Sequence, residues 1–190
     1  MIAVLLGLVG FVCAILTGRL FAVSGAFFGR FAERPVLRAL IAGVIFSIAG
    51  VLAPVLMFSG ESQLQGVAAQ AAAYGAAVLL LMALAKLVLL AVAFKSGFLG
   101  GPIFPTIFAA VCIAEALGLL FPGVRLDLLI GGIMGGFLVT LFRAPFMVIL
   151  LVAVMLQAPP ALIALVILSV ATVLIIRPVL EQAQAKRQTR

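Results

Sequence analysis

KSGFLGGPIFP, residues 95–105, breaks an otherwise almost continuously apolar chain with glycines and prolines. Such a stretch leaves backbone N–H and C=O groups without helical partners. In an aqueous loop, water takes them up. The flanking segments, AAVLLLMALAKLVLLAVAF (76–94) and TIFAAVCIAEALGLLF (106–121), read as membrane helices. Irregular backbone at membrane depth persists only where it is buried in protein or lines a water-filled cavity.

The loop opens a helix, with Pro105 near its first helical position. A helix N-terminus carries free N–H groups and a partial positive charge. Glycines just before it let the backbone approach a ligand closely. Together they make an anion site that needs no charged side chain. The bland alternative is a short extramembrane loop with ordinary helix breakers.

Composition fixes the solvent. Hydrophobic residues make up 67% of the 190-residue chain and charged residues 9%. A soluble domain of this size cannot hide that much apolar surface, so the reading is an integral membrane protein. The first run, MIAVLLGLVGFVCAILTG, has no basic residues ahead of it and is long enough to span, so it does not read as a cleaved signal. There is no His and no acidic cluster, which argues against a catalytic or metal constellation. The expectation is a non-enzyme without cofactor or metal. Cys13 and Cys112 lie in apolar runs and read as small core residues. The net charge of +7 resides in short loops and the tail, where topology signals sit, and does not suggest nucleic acid.

Apolar segments fall at 2–17, 20–31, 39–58, 64–94, 103–121, 126–142, 145–157 and 160–176, separated by turn chemistry such as Pro35, Glu61, Pro122-Gly123 and Pro159-Pro160. The spacing predicts an all-α fold of tilted and partly re-entrant helices over residues 1–176, then a basic cytoplasmic tail over 177–190. The 64–94 run is long enough to cross at a steep tilt, whereas the later segments are short and interrupted. Uneven, broken helices point to a transport site. Arg19, Arg30, Arg34 and Arg38, with Lys186, Arg187 and Arg190, place their ends in the cytoplasm, and the Glu61 loop outside.

The segment LLLMALAKLVLLAVAFKSGFLGGPIFP (79–105) resembles the region around the third anion-binding motif, Gly-x-Phe-x-Pro, of the CLC chloride channel and transporter family. There a Lys-bearing helix leads into a Ser-Gly-x-x-Gly-Gly loop. GGIMGGFLVTLFRAPFMVILLVAVML (131–156) is similar to the family's Gly-rich helix, its Arg-Ala-Pro break and the helix beyond. ATVLIIRPVLEQ (171–182) resembles its last helix, and 35–62 resembles the two helices opening its second repeat. The resemblance implies one inverted repeat of the CLC fold and passage of chloride or a similar small anion by channel flow or proton exchange. The first-repeat motifs, Gly-Ser-Gly-Ile-Pro and Gly-Arg-Glu-Gly-Pro, have no match here. A missing first-repeat half, on another chain or in an absent N-terminal region, is therefore implied, together with a homodimer of complete units in the bacterial inner membrane.

Aligned on the shared loop, Gly100, Gly101, Pro102, Ile103, Phe104 and Pro105 become the implied anion-binding residues, with Leu180 in the last helix. Three departures accompany them. Pro102 has no N–H where the family offers one, so Ile103 and Phe104 remain as donors. Leu180 stands where the family often has a coordinating Tyr. Val154 stands where it usually has a Glu. Pro102 and Leu180 favour the alternative function, a membrane structural or assembly subunit that keeps the half-fold without transporting.

Charges inside the membrane cost about 2.5–3.5 kcal/mol at a helix centre and are seldom idle. Lys86 matches a family lysine and raises anion occupancy in one reading; in the other it snorkels or pairs with a carboxylate. Glu115 has no family counterpart. It carries protons in one reading and reaches water at the far end of its helix in the other. Arg143 reads as structural, donating to carbonyls freed by Pro145, and GGIMGG (131–136) as a close-packing surface, either within the repeat or at a subunit interface.

Overall fold

The computed structural model describes the backbone of residues 1–188 and side chains through Val179. Eight α-helices and one 3-10 turn account for the ordered elements, and the described residues contain no strand. The helices are α1 (Ile2–Gly29), α2 (Pro35–Leu52), α3 (Leu64–Ala69), α4 (Ala71–Ser96), α5 (Ile103–Leu120), α6 (Leu126–Phe142), α7 (Pro145–Met155) and α8 (Pro160–Gln188), with the turn at Pro54–Leu56. α1, α2, α4, α5 and the Pro160–Val179 part of α8 are long and apolar enough to cross a membrane. This is a multi-pass, all-α membrane protein.

Several boundaries differ from the apolar segmentation, each for a physical reason. The runs 2–17 and 20–31 are one helix, because an exposed Gly18-Arg19 pair costs a helix little and keeps its charge outward. The run 64–94 is two helices, not one steeply tilted span. It breaks at Gln70 and again at Gly75, whose φ of 75° and ψ of 160° leave the helical region. From Gly75 to Ser96 the helix is about 32 Å long at 1.5 Å per residue, close to the thickness of the hydrocarbon core. Helix α8 continues through residue 176 to Gln188 with Pro178 inside it.

The chain divides into two compact units. One comprises residues 1–14 and 124–190. Its centre is the glycine-rich α6 against the start of α1 and against α8. A Cβ on Gly136 would collide with the backbone of Gly7, and one on Gly10 with Ile133 and Phe137. The small residues therefore let the backbones touch, as the sequence led one to expect. Ser169 on α8 donates to the Gly132 carbonyl at 2.6 Å, a buried polar bond across the same contact. The Arg-Ala-Pro break is present: α6 ends at Phe142, Arg143 adopts φ 55° and Pro145 starts α7. With 11 residues, α7 is about 16 Å long and reaches only partway through a bilayer.

The other unit, residues 15–123, holds the loop at 97–102. That loop folds α5 back along α4, and the two bury Leu79, Leu87 and Ala91 with Ile107, Phe108 and Ala114. Phe28 of α1 and Ala42 of α2 close a second cluster against Val92.

Candidate functional site

Helix α4 ends at Gly97, whose φ of 98° is the left-handed cap that glycine takes without strain. Three donors converge on the Ala93 carbonyl: the Gly97 amide, the Phe98 amide at 3.0 Å and the Ser96 hydroxyl at 3.0 Å. The entry to the loop is thereby pinned. Beyond it, no backbone carbonyl among the described residues accepts from the amides of Leu99, Gly100 or Gly101.

Helix α5 opens at Ile103 with Pro102 as its N-cap and no side chain capping it. Thr106 satisfies itself on Pro102, by its amide at 3.2 Å and its hydroxyl at 2.7 Å to the same carbonyl. Pro102 and Pro105 have no N–H to give. The first turn therefore presents two donors, the amides of Ile103 and Phe104, at the positive end of an 18-residue helix.

A cavity of about 460 Å³ lies beside this start. Gly100, Gly101 and Pro105 form part of its wall, Phe46, Phe94 and Phe98 supply apolar surface, and the turn Leu56–Ser59 closes another side. Lys86 is the ionisable residue among those lining it. The structure thus gathers four of the sequence-derived residues, Lys86, Gly100, Gly101 and Pro105, around one space. Pro102, Ile103 and Phe104 flank it without being part of its wall.

Lys86 neither snorkels nor meets a carboxylate. It is 1% exposed, and its ammonium donates to the carbonyls of Leu56 at 2.8 Å, Phe58 at 2.9 Å and Met57 at 3.4 Å. It also stands 5.0 Å from the ring centre of Phe108. Gly60 makes this approach possible, because a Cβ there would stand 2.9 Å from the Phe108 ring and 3.2 Å from the Lys86 Nζ. The backbone carbonyls at 56–58, Gly60 and Phe108 are site components that reading the sequence missed. The signal available was the Pro54 to Gly60 break, which frees carbonyls opposite an apolar lysine helix.

Glu115 is largely buried within this chain. It is 6% exposed, and its Oε1 is buried without a hydrogen bond. It shares a face of α5 with Phe108 and Cys112, at the i, i+4, i+7 spacing, away from the cavity wall. Leu180 lies outside the residues whose side chains are described. Neither Cys13 nor Cys112 forms a disulfide.

Comparison with known proteins places these features in a family. The profile of the family described as "Voltage gated chloride channel" matches residues 1–177. Curated relatives named "Putative ion-transport protein YfeO" from Escherichia coli, Escherichia fergusonii and Shigella boydii are each 42% identical over 89 residues. The match covers 46% of this chain and 20% of each relative. No solved structure matches the chain.

Proposed function

The chain belongs to the voltage-gated chloride channel family, and on that premise we propose that it forms part of a pathway carrying chloride or a similar small anion across the bacterial inner membrane. One observation carries the reading. The free amides at the start of α5 and the glycine loop before it stand beside a cavity whose ionisable lining residue is a lysine. An anion leaving water needs donors to replace its hydration shell, and fixed amide dipoles supply them with no reorganisation at the moment of binding. Ile103 and Phe104 are the donors, and Gly100 and Gly101 keep the approach open. Pro102 and Pro105 set the helix start. Lys86 acts from the cavity wall, its charge partly answered by carbonyls.

The pathway is incomplete in this chain. Residues 1–176 resemble a second repeat, with 177–190 as a cytoplasmic tail carrying the C-terminus. The matched stretch covers only 20% of each relative. A first-repeat half, on another chain or as a further part of this one, supplies the remaining coordination. Two such complete units form the homodimer. Either channel flow or proton exchange is compatible with this arrangement.

Native mass spectrometry of the complex isolated from membranes through a tag on this chain tests the proposal. A companion chain carrying the first-repeat motifs supports it. Assemblies of this chain alone favour the second reading, a scaffold subunit that has kept the fold. Pro102 motivates that reading, since it removes an amide from the start of α5.

A further inference from the structure

The connection between α1 and α2 gathers positive charge against the end of α4. Arg30 and Arg34 lie in the turn, and Arg38 follows one helical turn after Arg34. Lys95 belongs to the last turn of α4, its Nζ 5.8 Å from the ring centre of Phe21. The Arg38 guanidinium reaches Gly97, where an added Cβ would stand 3.0 Å from its Nη2.

Among the described residues, no acidic side chain pairs with these cations. Glu33 is the acid of the turn, yet the ion pair found among the described residues is Arg125–Asp127. Helix α2 starts with Arg34 as its N-cap, no side-chain cap and no acid in its first turn, so the arginines stand against the helix dipole. Topology alone accounts for arginines in an aqueous loop. It does not account for Arg38, which is half-buried and whose Nε is withdrawn from water with no acceptor. A buried donor left unpaired is costly and rare. The surrounding helix is left largely uncovered by the rest of this chain, since only 6% of the α2 span is buried.

We propose that Arg38, with Arg34 one helical turn before it and Lys95 two residues before Gly97 as further cations, binds the phosphate of an anionic membrane phospholipid. Phosphate oxygens match the guanidinium fork, and a lipid presents its phosphate where membrane helices emerge. The headgroup abuts Gly97, the first residue of the loop that leads to α5, so lipid occupancy bears on how that loop is held. The lipid site itself does not depend on the transport reading.

Native mass spectrometry of the purified protein with added phosphatidylglycerol or phosphatidylcholine tests it, with inorganic phosphate as competitor. Phosphatidylglycerol adducts are expected to outlast phosphatidylcholine adducts, and Arg38→Gln to weaken that preference about ten-fold, the loss of one hydrogen bond to a charged group. Arg19→Gln, away from the cluster, is expected to leave it unchanged. Should R38Q fold poorly, the double variant R34Q/K95Q reads the same preference and is expected to reduce it. An unchanged preference in the variants overturns the proposal. Displacement by inorganic phosphate at equal concentration makes this a free-phosphate site, and a protein chain crosslinked at position 38 makes it a protein contact; either result overturns the lipid assignment.

Discussion

The Lys86 ammonium donates to the Leu56 carbonyl at 2.8 Å across a sequence separation of 30 residues. A positive charge within a membrane helix is thereby committed to backbone carbonyls of a turn, and the turn in turn forms one wall of the cavity beside α5. The lysine's first effect is on shape. Its effect on an anion is exerted at a distance, through a field that the carbonyls partly offset.

Replacing Lys86 by methionine keeps the length of the side chain and removes every donor. The carbonyls of Leu56 and Phe58 are then left without it, at a cost of about 1–3 kcal/mol. Thermal unfolding in detergent is expected to shift down for Lys86→Met and to stay near wild type for Leu84→Met, an exposed position on the same helix. Equal stabilities for the two variants contradict the role of the cage.

Gly136 and Gly18 are both helical glycines with opposite expected responses to alanine. At Gly136 the new methyl meets the backbone of Gly7, and overpacking of this kind costs about 1–3 kcal/mol. At Gly18 nothing lies within 4 Å, and alanine is expected to be neutral or to stabilise by up to about 1 kcal/mol. Detergent thermostability of the two variants, measured side by side, separates these responses.

Asp127 sits in the first turn of α6 and pairs with Arg125 at 2.6 Å. The Arg125 side chain, hydrogen-bonded to it, lowers the pKa of Asp127 below the usual carboxylate range, despite a smaller opposing effect of desolvation. A depressed carboxylate contributes stability above its unfolded pKa and loses it as pH falls through the folded one. Asp127→Asn is therefore expected to be slightly less stable than wild type at neutral pH. The difference should vanish in acid below the ordinary Asp range; a difference that persists there assigns the loss to something other than charge.

Much of the fold was legible because lipid demands simple patterns. Apolar runs marked the helices, Arg-Ala-Pro marked the break before α7, and the paired glycines at 131–136 marked a close-packing surface, though not that its partner is the start of α1. The kink at Gly75 was hidden by the apolar residues around it, since hydrophobicity carries no record of a φ angle. At the site, the break itself was readable from Gly, Pro and their spacing, whereas Ile103 and Phe104 as donors came from the resemblance to the family motif. The destination of Lys86 was not, because its partners are carbonyls, which every residue has and no side chain announces. The burial of Glu115 was available in principle from the face it shares with Phe108 and Cys112, but its nearness to the end of α5 suggested water instead.

The central claim is that the amides at the start of α5 bind the anion, and proline substitution tests it at one atom. Phe104→Pro deletes a single N–H at a first-turn position where proline fits the helix, whereas Phe104→Ala removes the ring and keeps the amide. The measurement is chloride efflux from liposomes containing the complex isolated through this chain. The account predicts a loss of about ten-fold for Phe104→Pro, as for one hydrogen bond to an ion, and near wild-type flux for Phe104→Ala. Equal flux through wild type and Phe104→Pro would contradict it.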